Sequence, residues 1–107
     1  MARKVLGQSA PAATTATGLY TVPSATETVI SSITIANRAA TAGTARISVR
    51  PAGAVQANEH YILYDASIPG NDTLTLTIGI TLATTDVVTV YASTASFSFS
   101  AFGQEVT

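Results

Sequence analysis

One histidine, six carboxylates and no cysteine make up the usual catalytic and metal-ligating side chains of this sequence. His60 could act as the base of a Ser-His-Asp arrangement, with Asp65 and one of the many serines as partners. No Gly-x-Ser-x-Gly turn accompanies it, and without that strained strand-to-helix turn the motif lacks its structural context. His60 therefore reads as a polar residue at the start of a strand. Asp65, Asp72 and Asp86 lie beside turn-forming residues, where an aspartate usually bonds its own backbone. A paired-carboxylate hydrolase would need two of them to converge in a cleft. Asn58, Glu59, Asp65, Asn71 and Asp72 offer oxygen ligands to a hard cation, but not at the spacing of an EF-hand loop. The lack of cysteine excludes disulfides, thiolate zinc sites and cysteine nucleophiles. No catalytic residue, metal or cofactor is expected.

Binding is the chemistry left to consider. Tyr20, Tyr61, Tyr64 and Tyr91 would form a sugar-binding platform if several reached one exposed surface, and Tyr61 and Tyr64 are the candidate glycan contacts. The common alternative is a set of half-buried strand tyrosines. Asn71-Asp72-Thr73 fits the N-glycosylation acceptor pattern, which has meaning only on a secretory route. The basic residues are Arg3, Lys4, Arg38, Arg46 and Arg50, too few and too scattered for a phosphate track, so nucleic acid is not an expected partner. The start, Met-Ala-Arg-Lys-Val-Leu-Gly, has no apolar stretch of signal-peptide length, and no later segment is long enough to span a bilayer as a helix. A cytoplasmic site of synthesis, with no membrane partner, is the expectation.

The elements that must carry these residues are strands. From Leu19 onward, seven short β-rich runs alternate with turn signals, the spacing of a sandwich or barrel, and no helix-period segment competes. Leu19–Val22 stops at Pro23. Residues 28–37 place Val29, Ser31, Ile33 and Ile35 on the face expected to be the core side. Thr44–Arg50 alternates most cleanly, with Ala45, Ile47 and Val49 inward and Arg46 and Arg50 outward. Pro51-Ala52-Gly53 breaks that strand, and the stretch through Asn58 is expected to cross between sheets as a Greek-key or jelly-roll link. His60–Asp65 is a short aromatic run. Residues 73–82 predict one uninterrupted amphipathic strand. Residues 87–92 predict a strand covered on both sides, and residues 96–105 place Phe97, Phe99 and Ala101 inward. The fold class is therefore all-β, an antiparallel β-sandwich of about seven strands with jelly-roll or Greek-key connections. A chain of 107 residues fits one such domain.

Residues 1–17 have no sustained period and contain Gly7 and Pro11, so they are expected to form an extended N-terminal arm ahead of a β-sandwich domain over 18–107. An ordered arm of this composition needs something to lie against, which favours a neighbouring subunit. Arg3, Lys4, Val5, Leu6, Leu19 and Tyr20 are the candidate contacts. Charged residues are 10% of the chain, against about 25% in ordinary domains. A surface covered by Thr, Ser and Ala suits lasting contact with neighbours better than life as a free monomer. The single lysine also leaves strand edges without their usual protection, so partner chains are expected to cover them.

Several phrases together resemble a known group of proteins. Val5-Leu6-Gly7-Gln8-Ser9-Ala10-Pro11, Leu19-Tyr20-Thr21-Val22-Pro23, Ala36-Asn37-Arg38, His60-Tyr61 through Asp65, Asn71-Asp72-Thr73 and Gly79-Ile80-Thr81-Leu82 resemble a small protein encoded among the virion genes of tailed bacteriophages. The resemblance runs over nearly the whole chain, and its motifs are structural. It implies a non-enzymatic virion component, assembled in the host cytoplasm, with a β-sandwich fold and other virion proteins as partners. A capsid decoration or cement protein, forming a trimer or other oligomer bound to the major capsid protein, is the first expectation. A tail, neck, baseplate or fibre component is the second, and a receptor- or glycan-binding module is the third.

Overall fold

The computed structural model describes residues 2–107, and among them nine strands form two antiparallel sheets. The strands are β1 (Ala2–Ser9), β2 (Thr17–Thr21), β3 (Glu27–Asn37), β4 (Gly43–Arg50), β5 (Tyr61–Ile68), β6 (Thr73–Leu76), β7 (Ile80–Leu82), β8 (Val87–Ala92) and β9 (Phe97–Val106). The first sheet runs β1-β9-β3-β6, with β7 also paired to β3, and the second runs β2-β8-β4-β5. Their inward residues share one core. Ile33 and Ile35 of β3 and Phe97, Phe99 and Ala101 of β9 cluster with Ala45 and Ile47 of β4 and Val88, Val90 and Ala92 of β8. The alternation of residues 44–50 and 96–101 places these side chains as expected. Burial of each large one contributes about 1.5–3 kcal/mol.

Two more strands exist than the seven expected, for two separate reasons. Residues 2–9 pair with β9 from Ala2 opposite Glu105 to Ser9 opposite Phe99, so the stretch expected to reach a neighbouring subunit lies against its own chain. Residues 73–82 do not form one strand. Gly79 takes φ +58°, a left-handed conformation that favours glycine, and Thr77-Ile78-Gly79 separate β6 from β7. Ile78, within that interruption, is 54% exposed.

That break belongs to a line of irregularities crossing the whole first sheet. Leu6 is the extra residue between Val5, paired with Phe102, and Gly7, paired with Ala101. Ser31 is the extra residue between Ile30, paired with Gly103, and Ser32, paired with Phe102. The β6–β7 break lies opposite the same part of β3, because Leu76 pairs with Ile33 and Ile80 with Ile30. A bulge bends a strand and reverses the phase of its side chains. Thr28 and Ile30 therefore point inward before Ser31, and Ile33 and Ile35 after it. The expected inward face of 28–37 holds for Ile33 and Ile35 only; Val29 and Ser31 are exposed. Gly103 completes the line, since a Cβ there would collide with the Val29 carbonyl oxygen.

The sheet crossing also lies elsewhere than expected. β4 and β5 are neighbours in the second sheet, so residues 51–60 stay within it, folded into short 3-10 turns at Pro51–Gly53 and Asn58–His60. The chain instead crosses between the sheets at its other connections, β1–β2, β2–β3, β3–β4, β5–β6, β7–β8 and β8–β9, and the β3–β4 crossing is a tight turn. Buried Asn37 holds that turn: its side-chain amide donates toward Thr41 O (2.9 Å), Ile68 O (3.1 Å) and Pro69 O (3.2 Å), and its Oδ1 accepts from the Ala39 amide (3.0 Å). Residues 87–92 are covered on both sides as expected, with Val88, Thr89 and Val90 all buried.

Candidate functional site

Three side-chain groupings could carry function, and the first is internal. β2 bulges at Leu19, between the pairs Gly18–Thr89 and Tyr20–Val88, which lets two consecutive residues turn inward. Leu19 and Tyr20 are consequently 6% and 9% exposed, and neither offers its side chain to a neighbour. The Tyr20 hydroxyl shares a hydrogen bond with Thr28 Oγ1 (2.8 Å) and donates to Glu105 Oε2 (2.5 Å), while Lys4 Nζ lies 2.7 Å from Glu105 Oε1. Residues from β1, β2, β3 and β9 thus tie the two sheets together. Burial, reinforced by the Glu105 hydrogen bond, pushes the Tyr20 phenol up to about 12. Bonds from Lys4 and then Tyr20 hold the Glu105 carboxyl below its ordinary value. Leu6 packs, half-buried, against the core. Of the six expected contact residues, Arg3 and Val5 present exposed side chains on the outer face of the first sheet, and Lys4 is exposed but paired.

The second grouping lies on the outer face of the second sheet. Register brings Arg46 of β4 opposite Tyr91 of β8, and a bulge in β5 at Tyr64 and Asp65 turns both toward Arg46. The guanidinium carbon sits 4.4 Å from the ring centres of both Tyr64 and Tyr91. Asp65 accepts from Arg46 Nε at 2.6 Å and from Nη2 at 3.3 Å, which holds the guanidinium more firmly protonated still. Tyr61 meets Tyr64 edge to face with centroids 4.9 Å apart. Three of the four tyrosines considered for a sugar platform therefore converge, with Tyr64 58% exposed. Arg46 and Tyr91 stand 45 positions apart, and only the β4–β8 pairing, which no local pattern announces, brings them together.

The third grouping is the outer face of the first sheet. Its outward residues include Thr34, Thr73, Thr75, Thr81, Ser98 and Ser100, and its charges are Arg3 and Glu27 at one end and Arg38 at the other. Arg38 bonds Ser98 Oγ (2.9 Å) and Ala95 O (3.1 Å). Where β1 and β3 bulge on either side of β9, the face sinks into a trough of about 490 Å³ lined by Arg3, Lys4, Val29, Ser31, Phe102, Gly103 and Gln104. Val5, 49% exposed, pairs with Phe102 beside it. The periodicity reading missed Val29, Phe102 and Gln104, because two bulges rather than any motif create this site.

The remaining candidates are dispersed. His60 Nδ1 accepts from the Ala57 amide at 3.1 Å in its turn. Asp72 accepts from the Thr73 amide (2.8 Å), and Asp86 from the Ala52 and Ala83 amides (2.9 Å each), the turn-holding role expected of them. Asp65 departs from that role by pairing with Arg46. Among the described residues no three His, Asp or Glu side chains gather as metal ligands, and no helix is long and apolar enough to cross a membrane. No family model, curated protein or solved structure matches the chain.

Proposed function

We propose that the chain is a non-enzymatic structural component of a phage particle, a capsid decoration protein that works through the outer face of its first sheet. The observation that carries this reading is the face itself: broad, covered by short hydroxyl side chains, with its few charges at the ends and an apolar trough near one of them. Such a face loses little by giving up water, because few charges need desolvation. The sequence resemblance to phage virion proteins supports the setting, with assembly in the host cytoplasm and the major capsid protein as partner.

Strand order supports a jelly-roll sandwich. With β6 and β7 counted as one interrupted strand, the sheets read first-eighth-third-sixth and second-seventh-fourth-fifth, the arrangement of two interleaved Greek keys common in viral coat domains. The basic side chains are divided between both faces and are mostly engaged with partners of their own, which supports a role without nucleic acid.

The test is to add the purified protein to particles lacking it and to map the added density. Density on the capsid shell, lost with Phe102→Lys, is the expected result. Density confined to tail, neck or baseplate overturns the decoration reading in favour of the tail alternative. A glycan-binding module is the second reading, favoured by the convergence of Tyr61, Tyr64 and Tyr91 around the Arg46–Asp65 pair. It requires that Tyr64→Ala abolish attachment to cells while particles still assemble, and unchanged attachment removes it.

A further inference from the structure

The charges at the trough end of the first sheet are of opposite sign, and among the described residues neither has a charged partner. Arg3 stands opposite Gln104, which in turn stands opposite Val29; Glu27 lies two residues before Val29 on the same outward side of β3. Both side chains are exposed, and neither takes part in the ion pairs of Lys4 with Glu105 or Arg46 with Asp65. With strands about 4.8 Å apart and residues about 3.4 Å apart along them, Arg3 and Glu27 are separated by two strands and two residues, roughly 12 Å. Gln104 and Val29 lie in the corner between them, beside the trough, and the other charge lining the trough, Lys4, is paired with Glu105.

We infer that this end of the first sheet is a self-complementary interface, whose occupant is a second copy of the same chain related by a two-fold axis. Any two points on one face are exchanged by a two-fold axis lying in the interface plane along their perpendicular bisector. For Arg3 and Glu27 that axis crosses β9 between them, so Arg3 of each copy meets Glu27 of the other, and two ion pairs form from one operator. This is the reciprocal contact that an isologous dimer requires. The same operation sets Val29 of each copy over the trough of the other, beside the Arg3 stem, so the exposed valine fills the concavity that the bulges create. A like-charged or uncharged pair at these positions would give no preference for this docking; opposite signs reward one orientation and penalise displaced ones.

The inference rests on the geometry of the sheet alone. A second copy would occupy the trough end of the face that the decoration reading assigns to the capsid, so the two contacts compete for that surface. Self-association of the free protein and particle binding can fail independently. Sedimentation velocity over a concentration series of the full-length protein measures it. The wild type is expected to dimerise. Arg3→Glu and Glu27→Arg, each placing like charges opposite each other twice, are expected to weaken the dimer by about tenfold or more, and the double exchange Arg3→Glu/Glu27→Arg is expected to restore it to within about threefold. Val29→Arg, an exposed position whose change leaves the core intact, is expected to abolish it, and circular dichroism confirms that each variant remains folded. A monomer at every concentration overturns the inference, as does a dimer that ignores both single reversals or one that the double exchange fails to rescue. Capsid binding by a monomeric wild type would overturn it while leaving the decoration reading intact.

Discussion

Tyr20 is the side chain on which both sheets depend. It is drawn inward by the β2 bulge, and its hydroxyl is the one group that reaches Thr28, fully buried on β3, and Glu105 on β9. Tyr20→Phe keeps the ring and removes that hydroxyl, leaving Thr28 and one Glu105 oxygen without this partner. The expected loss is about 1–3 kcal/mol, read as a lower urea midpoint at unchanged m-value. The pH dependence follows from the same contacts. The folded phenol titrates near 12 and the unfolded one near 10, so its contribution is complete below pH 10 and is lost as pH rises toward 12. Glu105 has the opposite sign: its folded value is lowered, so its contribution is complete above the ordinary carboxylate range and is lost as pH falls through the folded value. Wild-type stability should therefore fall at both extremes, and Tyr20→Phe should flatten the alkaline limb. An alkaline limb unchanged in that variant would refute the assignment.

At the scale of elements, the decisive feature is the bulge line from Leu6 through Phe102 and Ser31 to the β6–β7 break. Deleting Ser31 would restore plain alternation to β3, but with one end out of phase: either Thr28 and Ile30 or Ile33 and Ile35 would have to leave the core. Loss of the cooperative fold is expected, seen as a missing thermal transition. Ser31→Ala keeps the extra residue and removes only its hydrogen bond to Phe102 O (3.1 Å), so it should cost less than about 1 kcal/mol. Equal tolerance of both changes would mean that the bulge does not set the phase of β3. The same line explains what the sequence made legible. Strands β4 and the first half of β9 alternate without interruption and read directly. Residues 28–37 and 73–82 alternate just as plausibly on paper, but an extra serine or a glycine at positive φ shifts the phase without altering composition. β1 was unreadable for another reason: among its described side chains, residues 3–9, none is fully buried, so its pairing with β9 leaves no periodic apolar signal. The outward Arg46–Tyr64–Tyr91 stack depends on pairings between distant strands and was legible only as separate residues.

At the scale of the molecule, the sparse charge does not leave the strand edges open. β1, β2 and β5 all carry bulges, β6 has four residues, and the single lysine sits on edge strand β1. Bulges and short lengths are ways of blocking edge-to-edge pairing, so these edges carry protection that does not depend on charge. β1 also shields something less safe. Behind it lies β9, ten residues long, in which Phe97, Ser98, Phe99, Ser100 and Ala101 run without charge or bulge on β9 itself. Removing residues 1–9 would expose that edge, release the Lys4–Glu105 pair and uncover the part of the core that Leu6 packs against. Loss of the Leu6 burial alone, about 1 kcal/mol for a half-buried leucine, corresponds to a thermal midpoint lower by about 6 °C. The uncovered edge should in addition drive aggregation with a thioflavin-positive, cross-strand signature, because a long uncharged strand edge is a template for further strands. A truncated protein that stays soluble and melts at the wild-type temperature would show that β1 is dispensable to the fold and free to act elsewhere. The expected result instead makes residues 2–9 a structural strand whose outward side chains, Arg3 and Val5, serve contact only while its backbone seals β9.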